Sequence, residues 1–483
     1  MHTTETILKS FEQICEIPRR SKHEERLADW LIAWAVEKDF SPIRDIAGNL
    51  IIRVPGSVGR EEDAIVILQG HMDMVCEKRP DSDHDFSVDP IRIRKDGDWL
   101  RAEGTTLGAD NGIAIAIAMH AATELSHPPL ELLFTVDEET GLTGARNLDT
   151  TLLSGRILIN LDSEDEGVAT IGCAGGSDAV LRLPVREDEV PEGVVGVKLS
   201  ITGLSGGHSG VDIDRQLGNA NKLLARCLDS IMRSDIAGSI VGFGSLHAGS
   251  ARNAIPRDAW IELLFAPEDS TSTWLERCDE VVAEMETIFV REYAGIDNVS
   301  VSLEPLEASI SGAAGTVDAL ETLISVLLAL PSGVQRMSTE IEGLVESSCN
   351  LAVCNRSGDS VTITTSQRSS YNSRINQMTR TIEAVARLSG SKFSTENSYP
   401  AWPPAENSSL LDRAKRVYRD CFGEDLSVEI IHAGLECAVI GSVIDGIEMI
   451  SIGPTILGAH SPDERLLVPS IDRFWIYLKA LLL

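Results

Sequence analysis

His71 and Asp73 stand just beyond a short apolar run, residues 64–68, rich in β-branched side chains. Such a run reads as a strand buried on both faces. A neutral imidazole at a strand end can bind a metal ion. A carboxylate two residues on, on the same side of an extended chain, can hold the ring's other N–H. A hydrogen-bonded structural histidine would look the same, so the pattern gains meaning by recurring. Residues 130–136 form a second apolar strand that runs into Asp137, Glu138 and Glu139, and residues 157–161 form a third that ends at Asp162. Adjacent acids repel one another unless solvated or bound to a cation. Asp110 lies in the glycine-flanked stretch 105–112, directly before an Ala/Ile-rich helical run at 113–125. An N-cap is the alternative reading there. Together, His71, Asp110, Glu138, Glu139 and Asp162 are ligand types gathered at strand and helix ends, which points to one metal cluster. An oxygen-rich donor set with few histidines suits Zn²⁺, Mn²⁺ or Co²⁺.

His460 also follows an apolar strand, residues 449–452. If it joins the cluster, the middle of the chain is an insertion that leaves one domain and returns to it. Asp81, Asp83, His84 and Asp85 imitate a metal site, but acids clustered in a polar loop are commonly solvated. Farther on, residues 205–210 put His208 in a glycine loop, and Arg252, Asn253 and Arg368 are able to receive an anion. Turn or surface roles are the alternative for each.

The elements that position these residues follow from pattern. Ile7, Phe11 and Ile14 recur at helical spacing, and residues 21–24 read as a capping box for a second helix bearing Leu27, Trp30, Leu31 and Trp34. His23 reads as a surface residue. Residues 49–54 form a strand ahead of the one ending at His71, and 76–90 a loop. The charged, breaker-containing stretch 185–193 marks a domain boundary. Beyond it, strands at 195–201, 259–265, 299–303 and 361–368 alternate with helices at 219–236, 274–293 and 371–388, the texture of a compact α+β unit. Residues 391–404, with Tyr399-Pro-Ala-Trp-Pro-Pro, read as an extended return linker.

At 483 residues the chain exceeds what one core commonly supports, so two domains are expected. A net charge of −32 argues against nucleic acid and anionic membrane as partners and is compatible with cation binding. Nine cysteines without a C-x-x-C pair suit reduced thiols in the cytosol. Charge throughout the first thirty residues argues against a signal peptide, and no apolar stretch is long enough to span a bilayer. A cytoplasmic location is the expectation.

Several motifs carry a family resemblance. They are Gly70-His-Met-Asp-Met-Val75, residues 104–112, the Glu138-Glu139 pair, Asp162-Ser-Glu164, Gly172-Cys-Ala-Gly-Gly176 and Gly206-Gly-His-Ser-Gly210. Residues 252–256, 431–437, 451–454 and 460–464 add to them. End to end, the chain resembles the di-zinc dipeptidases of the di-zinc metallopeptidase family.

The resemblance implies an α/β fold: a mixed-sheet catalytic domain in two parts, 1–188 and 393–483, with an inserted α+β lid and dimerisation domain at 189–392. It implies two Zn²⁺ per subunit, with Mn²⁺ or Co²⁺ as alternatives, and a homodimer. His71 and Asp162 would bind one ion, Glu139 and His460 the other, and Asp110 would bridge them. Glu138 would be the general base, and Asp73 would orient His71. A cis peptide between Asp110 and Asn111 is also implied. Asp137 departs from the family pattern, where a neutral residue is common. Toward the substrate, the resemblance gives His208 as an oxyanion donor, from the partner subunit's lid. Asn253, Arg368 and Gly434 would bind the dipeptide, the first two at its carboxylate, and Glu436 would hold its amine. The implied activity is hydrolysis of Xaa-His and broader unblocked dipeptides. An aminopeptidase or aminoacylase on the same scaffold, or a non-catalytic metal-binding homologue, are the competing readings.

Overall fold

The computed structural model describes residues 2–483 except 268–271, 307–311, 340, 342 and 406. The chain divides into two compact units. The first comprises residues 1–173, 402–431 and 435–483, and the second residues 174–401 and 432–434.

The first unit is built on an eight-stranded mixed sheet. Its strand order is Ser41–Arg44, Leu50–Val54, Leu130–Thr135, Val66–His71, Ile157–Asn160, Glu448–Ser451, Val168–Cys173, Ser427–Ile431. Every residue of Val66–His71 and of Leu130–Thr135 is buried, including the polar Gln69 and Glu131, as expected of strands covered on both faces. The helix Ala109–Glu124 carries alanine and isoleucine on all sides and is buried almost throughout. Helices His2–Cys15 and Val468–Leu482 join it in one core through Phe11, Ile14, Phe474 and Leu478. Each such side chain contributes about 1.5–3 kcal/mol by burial.

The second unit is an antiparallel sheet with Val195–Thr202, Ala259–Phe265, Ile240–Ala248, Val345–Ser357 and Ser360–Ser369 at its centre. Helices Ala220–Arg233, Val317–Ala329 and Asn372–Leu388 bury their apolar faces in the same core.

Two expectations from the sequence need correction. The division falls before the strand Gly175–Pro184, not at 188, because that strand pairs with Ser360–Ser369 inside the second unit. The breaker-rich stretch 185–193 is therefore internal to that unit. Likewise 391–404 is no free linker. Lys392–Tyr399 is extended but pairs with Gly175–Pro184 as an edge strand. Its residues are mostly exposed, so it lacks the apolar alternation that would have announced it.

Candidate metal centre

The strand Val66–His71 has parallel neighbours on both sides, Leu130–Thr135 and Ile157–Asn160. The segments that follow these strands therefore leave the sheet at one edge, where open α/β sheets place their sites. They carry His71 and Asp73, Asp137 to Glu139, and Asp162. Glu448–Ser451 also runs parallel to Ile157–Asn160, so the segment leading to His460 departs from that same edge.

Asp110 arrives from a different direction. The helix Ala109–Glu124 has Gly108 as its N-cap at φ +69°, and Asp110 and Asn111 depart from helical dihedrals. Asp110 is thus not the cap. The Asp110–Asn111 peptide bond is cis, in line with the family pattern. The Asn111 side chain then ties the site's strands together. Its Oδ1 accepts from His71 N at 3.2 Å, and its Nδ2 donates to Leu161 O at 3.1 Å. Gly70 has to be glycine here, since a Cβ would lie 2.3 Å from Asn111 Oδ1.

Around Asp110 the donors converge. His71 Nε2 lies 3.0 Å from Asp110 Oδ1 and 3.4 Å from Asp162 Oδ1. His460 Nε2 lies 3.1 Å from Asp110 Oδ2 and 3.1 Å from Glu139 Oε2. The ligand atoms of His71, Asp110 and Asp162 all lie within 4.8 Å of one another, as do those of Asp110, Glu139 and His460. A third such group is His71, Glu138 and Glu139. Asp81, Asp83, His84 and Asp85 form no such group among the described residues.

Asp73 sits behind the cluster. Its Oδ1 is 3.3 Å from His71 Nδ1 and accepts from Glu138 N at 3.1 Å; its Oδ2 accepts from Glu139 N at 3.2 Å. Asp137 joins none of these groups among the described residues. It is buried at φ +51° and accepts from the Thr140 hydroxyl.

The charges fit a cation. Burial alone would lower the His71 pKa, but Asp162, Asp110 and Asp73 outweigh it and hold it well above the usual imidazole value. Hydrogen bonds to Asp110 and Glu139 raise His460 to about 11. Burial would raise Asp110, yet its bonds to His460 and His71 keep it well below the carboxylate range. Burial pushes Asp162 up to about 6 and Glu138 well above its ordinary value. Among the described residues, buried Glu139 Oε1 has no hydrogen-bond partner, and Asp162 Oδ1 has only the long 3.4 Å approach of His71 Nε2. Two imidazoles and several carboxylates with buried acceptor atoms to spare are the donors that divalent transition metals take.

The sequence assigns Glu436 to a substrate amine. In the structure it is fully buried, with Oε2 accepting from Gln69 Nε2 and the Thr135 hydroxyl, each at 2.6 Å. Its Oε1 is buried with no hydrogen-bond partner among the described residues. Sequence reasoning also misses Glu464. Only 2% exposed, it accepts from the backbone N–H of Leu107 at 2.7 Å, Gly108 at 2.9 Å and Asp110 at 3.2 Å. The one available signal was its place four residues after His460.

The other predicted residues lie in the second unit. A short ribbon pairs Gly207–His208 with Ala254–Ile255, next to Asn253. His208 Nδ1 accepts from Gly210 N at 3.3 Å and Val211 N at 3.1 Å, which puts the ring proton on Nε2 and makes Nε2 a donor. Arg368 is nearly buried; its Nη1 donates to Tyr399 Oη at 2.9 Å, while its Nε has no hydrogen-bond partner among the described residues. Gly434 lies against the Tyr399 ring, where a Cβ would come within 2.8 Å of it.

A mixed sheet with a donor cluster at its strand ends, together with a carboxylate positioned beside the donors, defines a metal-dependent hydrolase. Peptidase family M20/M25/M40 matches residues 67–483, and the chain belongs to it. The chain is 39% identical to the cytosol non-specific dipeptidase of Escherichia coli (strain K12) over 98% of its own length and 96% of that protein's. It is similar to the crystal structure of aminoacylhistidine dipeptidase from Vibrio alginolyticus, at TM-score 0.83 and 37% identity, covering 99% of this chain and 96% of that one. Aminopeptidase PepT from Bacillus cereus shares the fold, at TM-score 0.55 and 16% identity over 99% of this chain and 98% of that one.

Proposed function

We propose that the chain is a dipeptidase that hydrolyses unblocked dipeptides, those ending in histidine among them, with two divalent cations of the Zn²⁺, Mn²⁺ or Co²⁺ type. The observation that carries this reading is the shared carboxylate: His71 and His460 face different oxygens of Asp110. His71 and Asp162 would hold one ion and Glu139 and His460 the other, with Asp110 available to both. When bound, such a pair would polarise the scissile carbonyl and lower the pKa of a water so that it could attack. Glu138 accepts a proton from that water and returns it to the nitrogen that leaves as the C–N bond breaks. Asp73 fixes the His71 ring.

The second unit acts as a lid and dimer contact in this reading. His208, across a homodimer, donates Nε2–H to the oxyanion. Arg368 and Asn253, beside Gly434, take the substrate carboxylate, in keeping with the unpartnered Arg368 Nε. A cytoplasmic setting agrees with the name of the Escherichia coli relative. None of the described helices is long and apolar enough to cross a membrane. Assay of purified, metal-loaded protein on Xaa-His dipeptides, tripeptides and N-acyl amino acids tests the proposal. Turnover confined to tripeptides or acylated substrates would refute it.

A further inference from the structure

Family M20/M25/M40 matches from residue 67 onward, yet the centre is held in part by residues before that point. Arg19 is only 2% exposed and belongs to no helix or strand. Its guanidinium donates to Met72 O at 3.1 Å, to Asp73 O at 2.7 Å and to Gly108 O. One cation thus joins the turn after His71 to the turn before Asp110. Glycines make the room: a Cβ on Gly108 or Gly112 would lie 2.5 Å or 2.7 Å from Arg19 Nη2. Two residues on, the Ser21 hydroxyl donates to Asp73 Oδ2 at 2.8 Å. Glu24, 3% exposed, accepts from Asp137 N at 3.0 Å, at the root of the Glu138–Glu139 turn. The sequence reads 21–24 as a capping box; instead the two side chains reach turns of the site, while Lys22 N, at 2.8 Å from Glu24 Oε1, is a local partner.

We propose that Arg19, Ser21 and Glu24 are positioning residues for the metal centre, setting the spacing of His71, Asp110 and Glu139 rather than touching metal or substrate. A buried guanidinium is costly unless its N–H groups find acceptors. Here the acceptors are carbonyls of the very turns that carry ligands. A hydrophobic side chain would fill the space but leave those carbonyls unpaired and the turns unlinked. Lysine's compact ammonium lacks the planar fork by which Nη1 reaches Met72 and Asp73 while Nη2 reaches Gly108.

The inference rests on the metal-binding reading above, so the test begins with uptake by the unaltered full-length chain. Metal-stripped protein is titrated with Zn²⁺ against a chromophoric chelator and with Co²⁺ in the visible range. Arg19→Ala, Arg19→Lys, Ser21→Ala and Glu24→Gln follow. Loss of such outer partners weakens metal binding by about 10–100-fold. Arg19→Ala and Arg19→Lys are expected to fall in that range, to shift the Co²⁺ absorption, and to lower kcat with KM little changed. Added methylguanidinium is expected to restore affinity in Arg19→Ala and not in Arg19→Lys. A folded Arg19→Ala protein with unaltered Zn²⁺ affinity and Co²⁺ spectrum overturns the proposal. If Arg19→Ala does not fold, Ser21→Ala decides: an unchanged Co²⁺ spectrum overturns it and a shifted one supports it. Failure of the unaltered chain to take up metal removes the metal-binding reading and this one together. Normal uptake with indifferent variants removes this one alone.

Discussion

His460 Nε2 lies 3.1 Å from Asp110 Oδ2, although 350 residues separate the two. The strand Glu448–Ser451 makes this meeting possible by running parallel to Ile157–Asn160 in the sheet. Glu464 then fastens the His460 segment to the backbone of Leu107, Gly108 and Asp110. The contribution of each half of the site can be tested separately.

His460→Ala removes a donor from one group only, since His71, Asp110 and Asp162 form a group without it. The variant is expected to retain about one of two metal equivalents, counted by elemental analysis after gel filtration. Asp110→Asn, shared by both groups, is expected to lose both.

Glu138→Gln keeps the shape of the side chain and removes the proton acceptor. Metal content should stay at the wild-type level while kcat falls by about 10²–10⁴-fold, the usual contribution of a general base. Full activity in a metal-loaded Glu138→Gln protein would remove Glu138 from the mechanism.

Metal and protons compete at His71 and His460, because both are raised in the metal-free protein, His460 to about 11. Uptake at pH 7 is therefore expected to release protons, and affinity to rise with pH. Titration calorimetry in buffers of different ionisation enthalpy reads the proton count. The same shift gives the sign for stability. A raised His460 stabilises the metal-free fold fully below about pH 6.5, the unfolded value, and that contribution is lost as pH climbs toward 11. Melting temperatures of metal-free protein should fall across that window, and those of loaded protein should fall less.

Arg368→Met is expected to raise KM for dipeptides by roughly 10–100-fold, the cost of a lost charge-assisted hydrogen bond. Dipeptide amides separate the roles: wild type should discriminate against them, and the variant should not. His208→Ala should lower kcat with metal content unchanged, and lost metal would contradict an oxyanion role.

Gly108→Ala places a side chain at φ +69° and a Cβ 2.5 Å from Arg19 Nη2. Left-handed backbone alone costs about 1–2 kcal/mol for a residue with a Cβ. A lower melting temperature and weaker metal uptake are expected. Wild-type values in both would show that the turn adjusts freely.

The centre of the first unit was readable because Val66–His71, Leu130–Thr135 and Ile157–Asn160 are apolar enough to be seen one by one, and each runs into a ligand type. Val66–His71 and Leu130–Thr135 needed no tertiary information. Arg19 and Glu464 were invisible for the opposite reason: their partners are backbone atoms, which carry no sequence signature. Ser21 and Glu24 carried a local pattern whose actual partners, Asp73 and Asp137, are distant in the chain. In the second unit, Lys392–Tyr399 hid its strand character behind exposed polar side chains.

The seat of Glu448–Ser451 in the sheet bears on how the protein is made. It lies between Ile157–Asn160 and Val168–Cys173. A ribosome must translate past Ser451 before that seam can close. Any product truncated upstream of Glu448 is left with two bare strand edges facing a gap, an invitation to pair with another unfinished chain.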